Sequence, residues 1–230
     1  MKFFISEIFY SLQGEGIYHG VPSTFIRLSG CPMSCTWCDT PYASWKPEGR
    51  LYDIAEILKE IEKNPQASHV VITGGEPYQF KNLPQLVSSV KDLGKTVTIE
   101  TAGIIYLKTN ADLISISPKT KNSDPVDEPE RLRVHQKYRQ QRDSMAQFVL
   151  HSSDIQWKFV TGDMRDLEEI EEILSQLSVP RNERVFLMPF TQNPQQYQEH
   201  SILVAQWAMD KGFTFCNRLH VQLWSDERGT

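Results

Sequence analysis

Short runs rich in β-branched and aromatic residues recur along the chain, and most of them are apolar on both faces. Such strands are typical of a sheet covered on both sides, because a one-sided strand alternates apolar with polar residues. Between the runs lie helical periods; from Ile54 to Ile61, four aliphatic side chains share one helix face. The alternation predicts an α/β fold with a parallel sheet and right-handed crossovers, open or curled into a partial (β/α) barrel.

Seven strands and four helices are predicted along this alternation. The strands are expected at 24–28, 69–73, 96–100, 113–116, 157–160, 184–188 and 219–224, and the helices at 54–61, 84–93, 167–177 and 197–209. Active sites of such folds collect at the carboxyl ends of the strands. Residues that directly follow a predicted strand are therefore the first candidates for function.

The length of 230 residues fits a single domain spanning residues 1–230, because α/β barrels often reach this size as one unit. Hydrophobic residues make up 40% and charged residues 23%, which excludes a mainly disordered chain. One stretch, residues 121–155, breaks the alternation with a run rich in Asp, Glu and Pro followed by a strongly polar segment. We expect it to be a surface excursion, either a flap or a helical insert.

The formal net charge of −5 gives no general basic field, so we expect a small substrate and no nucleic-acid partner. The amino terminus lacks the pattern of a signal peptide, and no run approaches the ~18 apolar residues of a membrane span. We therefore expect a cytoplasmic protein without membrane contact. In that reducing compartment, clustered cysteines more often bind metal or do chemistry than form disulfides.

Three of the four cysteines lie close together in a loop that follows a predicted strand, with the spacing Cys31-x3-Cys35-x2-Cys38. The fourth, Cys216, is far along the chain in an apolar run, where it is expected to be a small buried residue. A structural zinc site needs four closed ligands, usually in two separated pairs. A [4Fe–4S] cluster also needs four, but three thiolates leave one iron open to a second molecule. The spacing alone does not name the cofactor.

A second motif, Thr73-Gly74-Gly75-Glu76-Pro77, directly follows the apolar strand that ends at Ile72. Two glycines at a strand end let the backbone approach a ligand closely. Alone, the motif is a weak turn signal. The motif becomes more specific because it follows the cysteine loop in the sequence.

The cysteine spacing, Trp37 before the last cysteine and the glycine motif together resemble the radical S-adenosylmethionine (SAM) superfamily. The resemblance implies a modified partial (β/α) barrel of the radical SAM type. It also implies a [4Fe–4S] cluster on Cys31, Cys35 and Cys38, with the amino and carboxylate groups of SAM on the open iron. Reductive cleavage of SAM would then produce a 5′-deoxyadenosyl radical that abstracts a substrate hydrogen.

Further motifs are similar to those of the 7-carboxy-7-deazaguanine synthase family, from residue 7 to the carboxyl terminus outside 121–155. They are EIFYSLQGEG at 7–16, FIRL at 25–28, CDT at 38–40, ETAG at 100–103, SISPK at 115–119 and LHVQLW at 219–224. The resemblance implies ring contraction of 6-carboxy-5,6,7,8-tetrahydropterin to 7-carboxy-7-deazaguanine with loss of ammonia, on the route to queuosine. It further implies Mg²⁺, a homodimer, and an electron donor such as flavodoxin or ferredoxin.

The same resemblance gives roles to individual residues. Thr40 would bind Mg²⁺, which prefers oxygen ligands, and Arg27 would hold the substrate carboxylate with its planar fork. The residues expected to contact SAM are Trp37, Cys38, Asp39, Gly75, Ser117, Pro118 and Lys119. Those expected to contact the pterin are Leu12, Gln13, Gly14, Arg27, Thr73 and His220.

Several alternatives stay open at this point. Arg27 is either a substrate ligand or half of a surface ion pair, and His220 is either a core residue or a substrate contact. Glu15 and Glu76 are either catalytic carboxylates or backbone acceptors, whereas Lys158 is expected to face the barrel mouth. At the level of function, the alternatives are a glycyl-radical-enzyme activase with the same cluster and a zinc-binding interaction module.

Overall fold

The computed structural model describes residues 2–180, 184–190, 194–225 and 227–229. Within these ranges the strands form one nine-stranded sheet with the order β3-β1-β2-β4-β5-β6-β7-β8-β9. The strands are β1 (Lys2–Leu12), β2 (Pro22–Leu28), β3 (Arg50–Asp53), β4 (His69–Gly74), β5 (Thr96–Thr101), β6 (Leu113–Ile116), β7 (Ile155–Thr161), β8 (Val185–Pro189) and β9 (Thr214–Phe215). From β2 through β4 to β9 all neighbours are parallel, whereas β1 pairs antiparallel with both β2 and β3.

Seven α-helices accompany the sheet in the described residues. They are α1 (Ile54–Glu62), α2 (Leu83–Asp92), α3 (Pro129–Arg139), α4 (Asp143–His151), α5 (Met164–Gln176), α6 (Pro194–Lys211) and α7 (Leu219–Trp224). The helix α1 begins at a capping box, in which Asp53 accepts from the Glu56 amide and Glu56 accepts from the Asp53 amide. The inward residues of the strands and helices form one large apolar cluster that includes Ile72, Val87 and Phe159.

This architecture confirms the predicted parallel α/β sheet, and the predicted strands and helices match β2, β4 to β8, α1, α2, α5 and α6 within a few residues. Because consecutive strands are parallel, their carboxyl ends meet at one edge of the sheet. The cysteine loop follows β2 at this edge, and the glycine motif follows β4 beside it. The fold therefore brings the two motifs together. Within the described ranges, no helix has the length and apolar character needed to cross a bilayer.

One predicted strand is wrong: residues 219–224 form the helix α7. The Val221 and Gln222 amides both donate to the Arg218 carbonyl, as in a helical turn. The sheet ends at β9, which has only two residues, so it offers little edge for another strand. Local β propensity is therefore overridden by the absence of a pairing partner in this part of the structure.

Residues 121–155 contain the helices α3 and α4, inserted between β6 and β7. The helical form of the insert is as expected, but the description as a surface excursion is incomplete. His135 is 0% and Arg139 4% exposed, and Met145 and Phe148 belong to the main apolar cluster. The insert is thus packed into the body of the protein despite its polar sequence.

Candidate active site

A cavity opens at the carboxyl ends of the parallel strands, and all three clustered cysteines line it. We call this the cluster cavity. Its wall also contains the glycine motif at Gly74 and Gly75, and the carboxyl-terminal ends of β5 and β7. A second cavity adjoins it beside β1 and the carboxyl-terminal helix α7. The residues shared by both are Glu15, Asp39, Thr40, Thr73, Gly74 and Glu100, so the two form one continuous site.

The cysteine loop presents three thiols to the cluster cavity, with Cys35 buried and Cys31 and Cys38 half-buried. Burial raises the pKa of all three thiols, that of Cys35 to about 12. Cysteine binds metal as the thiolate, so a positively charged group of irons is what would make these buried ligands ionise. The Cys38 sulfur also lies 3.4 Å from the Ser44 hydroxyl oxygen.

This donor set fits a [4Fe–4S] cluster better than a single ion. Among the described residues, no group of three or more His, Cys, Asp or Glu side chains is arranged to hold one metal ion. A cubane takes one thiolate per iron, so its ligands need not converge on one point. Cys216 lies elsewhere: it is 4% exposed, packs with Phe186 and Met188, and accepts from the Gly16 amide at 3.1 Å. Its expected burial as a small residue is confirmed.

The two glycines of the motif are required by backbone packing. A Cβ on Gly74, whose φ is +116°, would lie 2.1 Å from the Leu28 carbonyl oxygen, and one on Gly75 would lie 1.9 Å from that of Gly30. The Gly75 amide donates to Leu28 at 2.9 Å, and the Glu76 amide donates to Gly30 at 2.9 Å. The motif is therefore held against the end of β2 and the start of the cysteine loop. Close approach to a ligand, the reason expected from sequence, stays a prediction beside this packing constraint.

Glu76 ties the glycine motif to the end of β5. It is fully buried and accepts from the Tyr78 amide at 3.1 Å, the Thr101 hydroxyl at 2.7 Å and the Ala102 amide at 3.0 Å. Burial raises its pKa to about 7, although these donors oppose the shift. Of the two roles left open by the sequence, the structure gives Glu76 that of a backbone acceptor.

The residues expected to contact SAM lie around the cluster cavity. Lys119 donates to the Ser117 hydroxyl at 2.9 Å, and its ammonium lies 5.0 Å from the centre of the Trp37 ring. The Trp37 ring also packs against Phe190, with the ring centres 6.0 Å apart. Pro118 is buried between Ser117 and Lys119 and is not part of the cavity wall.

The second cavity collects the residues expected to contact the pterin, although they come from four separate parts of the chain. They are Leu12, Gln13, Gly14, Arg27, Thr73 and His220. His220 lies on α7, where its Nδ1 would be only 2.3 Å from a Cβ on Gly14. The structure brings these residues together, and their contact with a substrate stays a prediction.

Arg27 has an ion-pair partner within the protein. Its Nε donates to the Glu7 carboxylate at 2.6 Å, and the guanidinium lies over the Phe9 ring at 5.2 Å. The guanidinium also lines the second cavity. Arg27 therefore forms an ion pair, but not the surface pair named as the alternative, because the two side chains are only 16% and 14% exposed. A planar guanidinium has further donors for an anionic ligand.

A buried ion-pair network lies where the two cavities meet. Lys158, 3% exposed, donates to Glu15 and to Glu100 at 2.8 Å each. Burial disfavours the charged forms, but the attraction between opposite charges is the larger effect. The two carboxylates raise the pKa of Lys158 above its usual range, and Lys158 and Arg218 lower the pKa of Glu15. Glu100 also accepts from the Thr73 hydroxyl at 2.8 Å. As expected, Lys158 faces the cavity.

Sequence reasoning missed Arg218, which closes the network. Its guanidinium pairs with Asp39 of the cysteine loop at 2.7 Å and with Glu15 at 3.4 Å. Glu100 was noticed only as part of a motif and was given no role. Its position at the end of a predicted strand was the signal that could have found it, whereas nothing near Arg218 in the sequence indicates its partners.

The fold, the cysteine loop and the glycine motif define a radical SAM protein, and the sequence profile described as "Radical SAM superfamily" matches residues 25–149. The chain is 38% identical over 228 residues to the 7-carboxy-7-deazaguanine synthase of Rhodopirellula baltica, covering 98% of this chain and 88% of that one. It is 36% identical over 233 residues to the 7-carboxy-7-deazaguanine synthase of Halobacterium salinarum, covering 96% of this chain and 90% of that one. Within the superfamily, the chain belongs to the 7-carboxy-7-deazaguanine synthase family.

A solved structure agrees with this assignment. The crystal structure of QueE from Escherichia coli superposes with a TM-score of 0.72 at 25% identity, covering 96% of this chain and 95% of that one. The predicted radical SAM fold is confirmed, and the family favours neither a glycyl-radical-enzyme activase nor a zinc-binding module. Membership of the superfamily also means a [4Fe–4S] cluster and SAM as cofactors.

Proposed function

We propose that the protein converts 6-carboxy-5,6,7,8-tetrahydropterin to 7-carboxy-7-deazaguanine with loss of ammonia, as a radical SAM lyase of queuosine biosynthesis. The observation that carries the proposal is the continuous site, in which a three-thiol cavity opens directly into a polar cavity. The named relatives over nearly the full chain support the same reaction.

In this proposal, Cys31, Cys35 and Cys38 hold the cluster. When bound, the reduced cluster and SAM supply a radical that abstracts a hydrogen atom from the substrate. The walls of the cluster cavity orient SAM and exclude water from it. The wall residues involved are Trp37, Asp39, Gly75, Ser117 and Lys119, with Pro118 buried between Ser117 and Lys119.

The second cavity suits a flat, polar, anionic substrate. Arg27 offers a guanidinium to the substrate carboxylate, and Gln13 and Thr73 offer an amide and a hydroxyl to the ring edge. Leu12, Gly14 and His220 complete the wall. These contacts would orient the ring so that its reacting carbon faces the cluster cavity.

Thr40 lies at the junction of the two cavities and is the proposed protein ligand of Mg²⁺. Mg²⁺ prefers oxygen and often takes few protein ligands when substrate and water oxygens complete its shell. The Thr40 hydroxyl, 9% exposed and facing both cavities, fits that need. A metal there would hold the substrate carboxylate and assist the ring contraction.

The Glu15–Lys158–Glu100 network would keep the floor between the cavities rigid. Lys158 carries a buried positive charge beside both cavities, and Glu15 and Glu100 each hold it at 2.8 Å. The protein acts on a small molecule with the help of a reductant. We propose flavodoxin or ferredoxin as the electron donor, a cytoplasmic location and a homodimer.

The test is anaerobic purification, iron and sulfide analysis, and incubation with SAM, a reductant, Mg²⁺ and the carboxytetrahydropterin, read by mass spectrometry. We expect four irons per chain and a product lighter than the substrate by one ammonia. The matched control is Cys35→Ala, which removes one ligand and should abolish both. A protein that holds iron and yields only 5′-deoxyadenosine would refute the substrate and keep the superfamily, whereas zinc without iron would refute both.

A further inference from the structure

The insert between β6 and β7 contacts the cysteine loop at three polar donors within residues 34–37. The Ser34 amide donates to His135 Nδ1 at 3.2 Å, and the Thr36 amide donates to the Ser123 carbonyl at 3.0 Å. The Trp37 indole donates to Asn122 Oδ1 at 2.9 Å. Asn122, Ser123 and His135 belong to the segment expected from sequence to be a surface excursion.

These contacts enclose the middle ligand of the cluster. Ser34 and Thr36 are the two neighbours of Cys35, and Trp37 precedes Cys38. A ligand whose neighbours on both sides are held has little freedom to move with the backbone. The insert therefore controls the position of Cys35 more directly than that of Cys31.

His135 is itself fixed by a chain of hydrogen bonds. Because its Nδ1 accepts from Ser34, its Nε2 is the nitrogen that carries hydrogen, and that nitrogen donates to the Ser123 hydroxyl at 2.9 Å. The Ser123 hydroxyl in turn donates to the Thr120 carbonyl at 2.6 Å. His135 is 0% exposed, so the ring is held in one orientation by partners on both nitrogens.

The rest of the insert is anchored independently of the cysteine loop. Arg139, 4% exposed, pairs with Asp124 at 2.9 Å and with Glu169 of α5 at 2.7 Å. The Asn122 amide donates to the Val160 carbonyl and to Asp166, both at 2.9 Å. The acceptors on Asn122, Ser123 and His135 are thus fixed in place by contacts with the rest of the protein.

We propose that Asn122, Ser123 and His135 form a clamp that positions Cys35 and keeps the Ser34 and Thr36 amides turned away from the cluster. Backbone amides that donate to cluster sulfurs change the reduction potential of the cluster. With both amides engaged by the clamp, the cluster has fewer donors and a lower potential than it would have without it. This inference rests on the cluster of the proposed function and not on its pterin substrate.

The test compares His135→Leu with His135→Asn in the anaerobically reconstituted holoenzyme. Asparagine places an oxygen near the position of Nδ1 and can still accept from Ser34, whereas leucine cannot. For His135→Leu we expect iron release to a chelator to be faster, on the order of 10-fold. We also expect a higher midpoint potential and a changed electron paramagnetic resonance spectrum of the reduced cluster. His135→Asn should keep values near those of the unmodified protein.

Gln136→Ala is the matched control, because Gln136 lies beside His135 in α3 and its side chain donates to Asp124 and not to the cysteine loop. It should leave iron release, potential and spectrum unchanged. Where His135→Leu does not fold, Asn122→Leu removes the acceptor of the Trp37 indole and should shift the same three quantities in the same direction.

Three results would overturn the clamp. They are an unchanged spectrum and potential in the leucine variants, equal losses in His135→Leu and His135→Asn, and equal losses in Gln136→Ala. The readouts need no pterin. A holoenzyme with a normal cluster and no 7-carboxy-7-deazaguanine product would therefore refute the proposed substrate while leaving the clamp supported or refuted by its own measurements.

Discussion

Replacing Lys158 with methionine removes the only cation that both Glu15 and Glu100 contact at 2.8 Å among the described residues. Lys158 is 3% exposed, and the two carboxylates are 14% and 21% exposed, so water does little to replace it. Breaking a buried ion pair by removing one partner costs about 3–5 kcal/mol, because a charge is left uncompensated. For a chain of this length, that corresponds to a fall in Tm of roughly 6 to 20 °C.

The loss in Lys158→Met should depend on pH in a defined direction. In the unmodified protein, burial raises the pKa of Glu15, but Lys158 and Arg218 hold it below its usual range. Without Lys158, the folded variant therefore takes up a proton more readily than the unmodified protein, and the stability gap between the two should shrink as the pH falls, by up to about 1.4 kcal/mol per pH unit for this carboxylate. Arg218, at 3.4 Å from Glu15, still opposes this recovery.

The assay is thermal unfolding of both proteins at several pH values from 8 to 5, followed by circular dichroism. Lys158→Met combined with Glu100→Gln is the matched control, because removing the stranded charge should recover part of the loss at pH 8. A loss below about 1 kcal/mol would show that the pair contributes no more than an exposed one. A loss that stays constant from pH 8 to 5 would refute the role of uncompensated charge.

Three further predictions concern other parts of the structure. Burial lowers the pKa of His69 from 6.5 to about 4. Folding therefore favours the neutral imidazole, and the stability of the protein falls as the pH drops from 6.5 towards 4. His69→Gln should reduce this dependence of the unfolding free energy on pH, as measured by urea unfolding. Cys216→Ala should keep the full iron content of the protein and lower Tm by a few degrees, whereas Cys35→Ala should lose the iron; equal iron loss in both would contradict the separate location of Cys216. Gly75→Ala places a Cβ 1.9 Å from the Gly30 carbonyl, so we expect a cost of about 1–3 kcal/mol or more with reduced iron content, and an unchanged Tm would refute the packing argument.

Much of the site was predictable because its motifs consist of residues that are close together in the sequence. The cysteine spacing and the glycine motif each occupy a few consecutive residues, and both directly follow apolar strands. Parallel strands bring their carboxyl ends to one edge of the sheet, so two motifs at strand ends become neighbours without any knowledge of side-chain contacts. Apart from the buried Pro118, the residues expected to face SAM and the pterin line the two cavities.

The insert and the carboxyl-terminal helix could not be read in this way. Polar sequence is usually exposed, but His135 and Arg139 are buried because each finds specific partners, Ser34 and Ser123 for one and Asp124 and Glu169 for the other. Residues 219–224 have the composition of a strand and form a helix, because the sheet ends at β9. Local composition shows neither the distant side chains that pair with His135 and Arg139 nor whether a neighbouring strand is available to residues 219–224.

The sequence by itself determined the alternation of strands and helices, the three-thiol loop and the family. Only the tertiary structure decided which charges meet at the site. Lys158 joins carboxylates 143 and 58 residues away in the chain, and Arg218 reaches Asp39 across 179. Such contacts depend on how strand ends and loops are arranged in space, which local periodicity does not specify. The Lys158 pairs persist because burial leaves that charge no better partner than the two carboxylates that the fold provides.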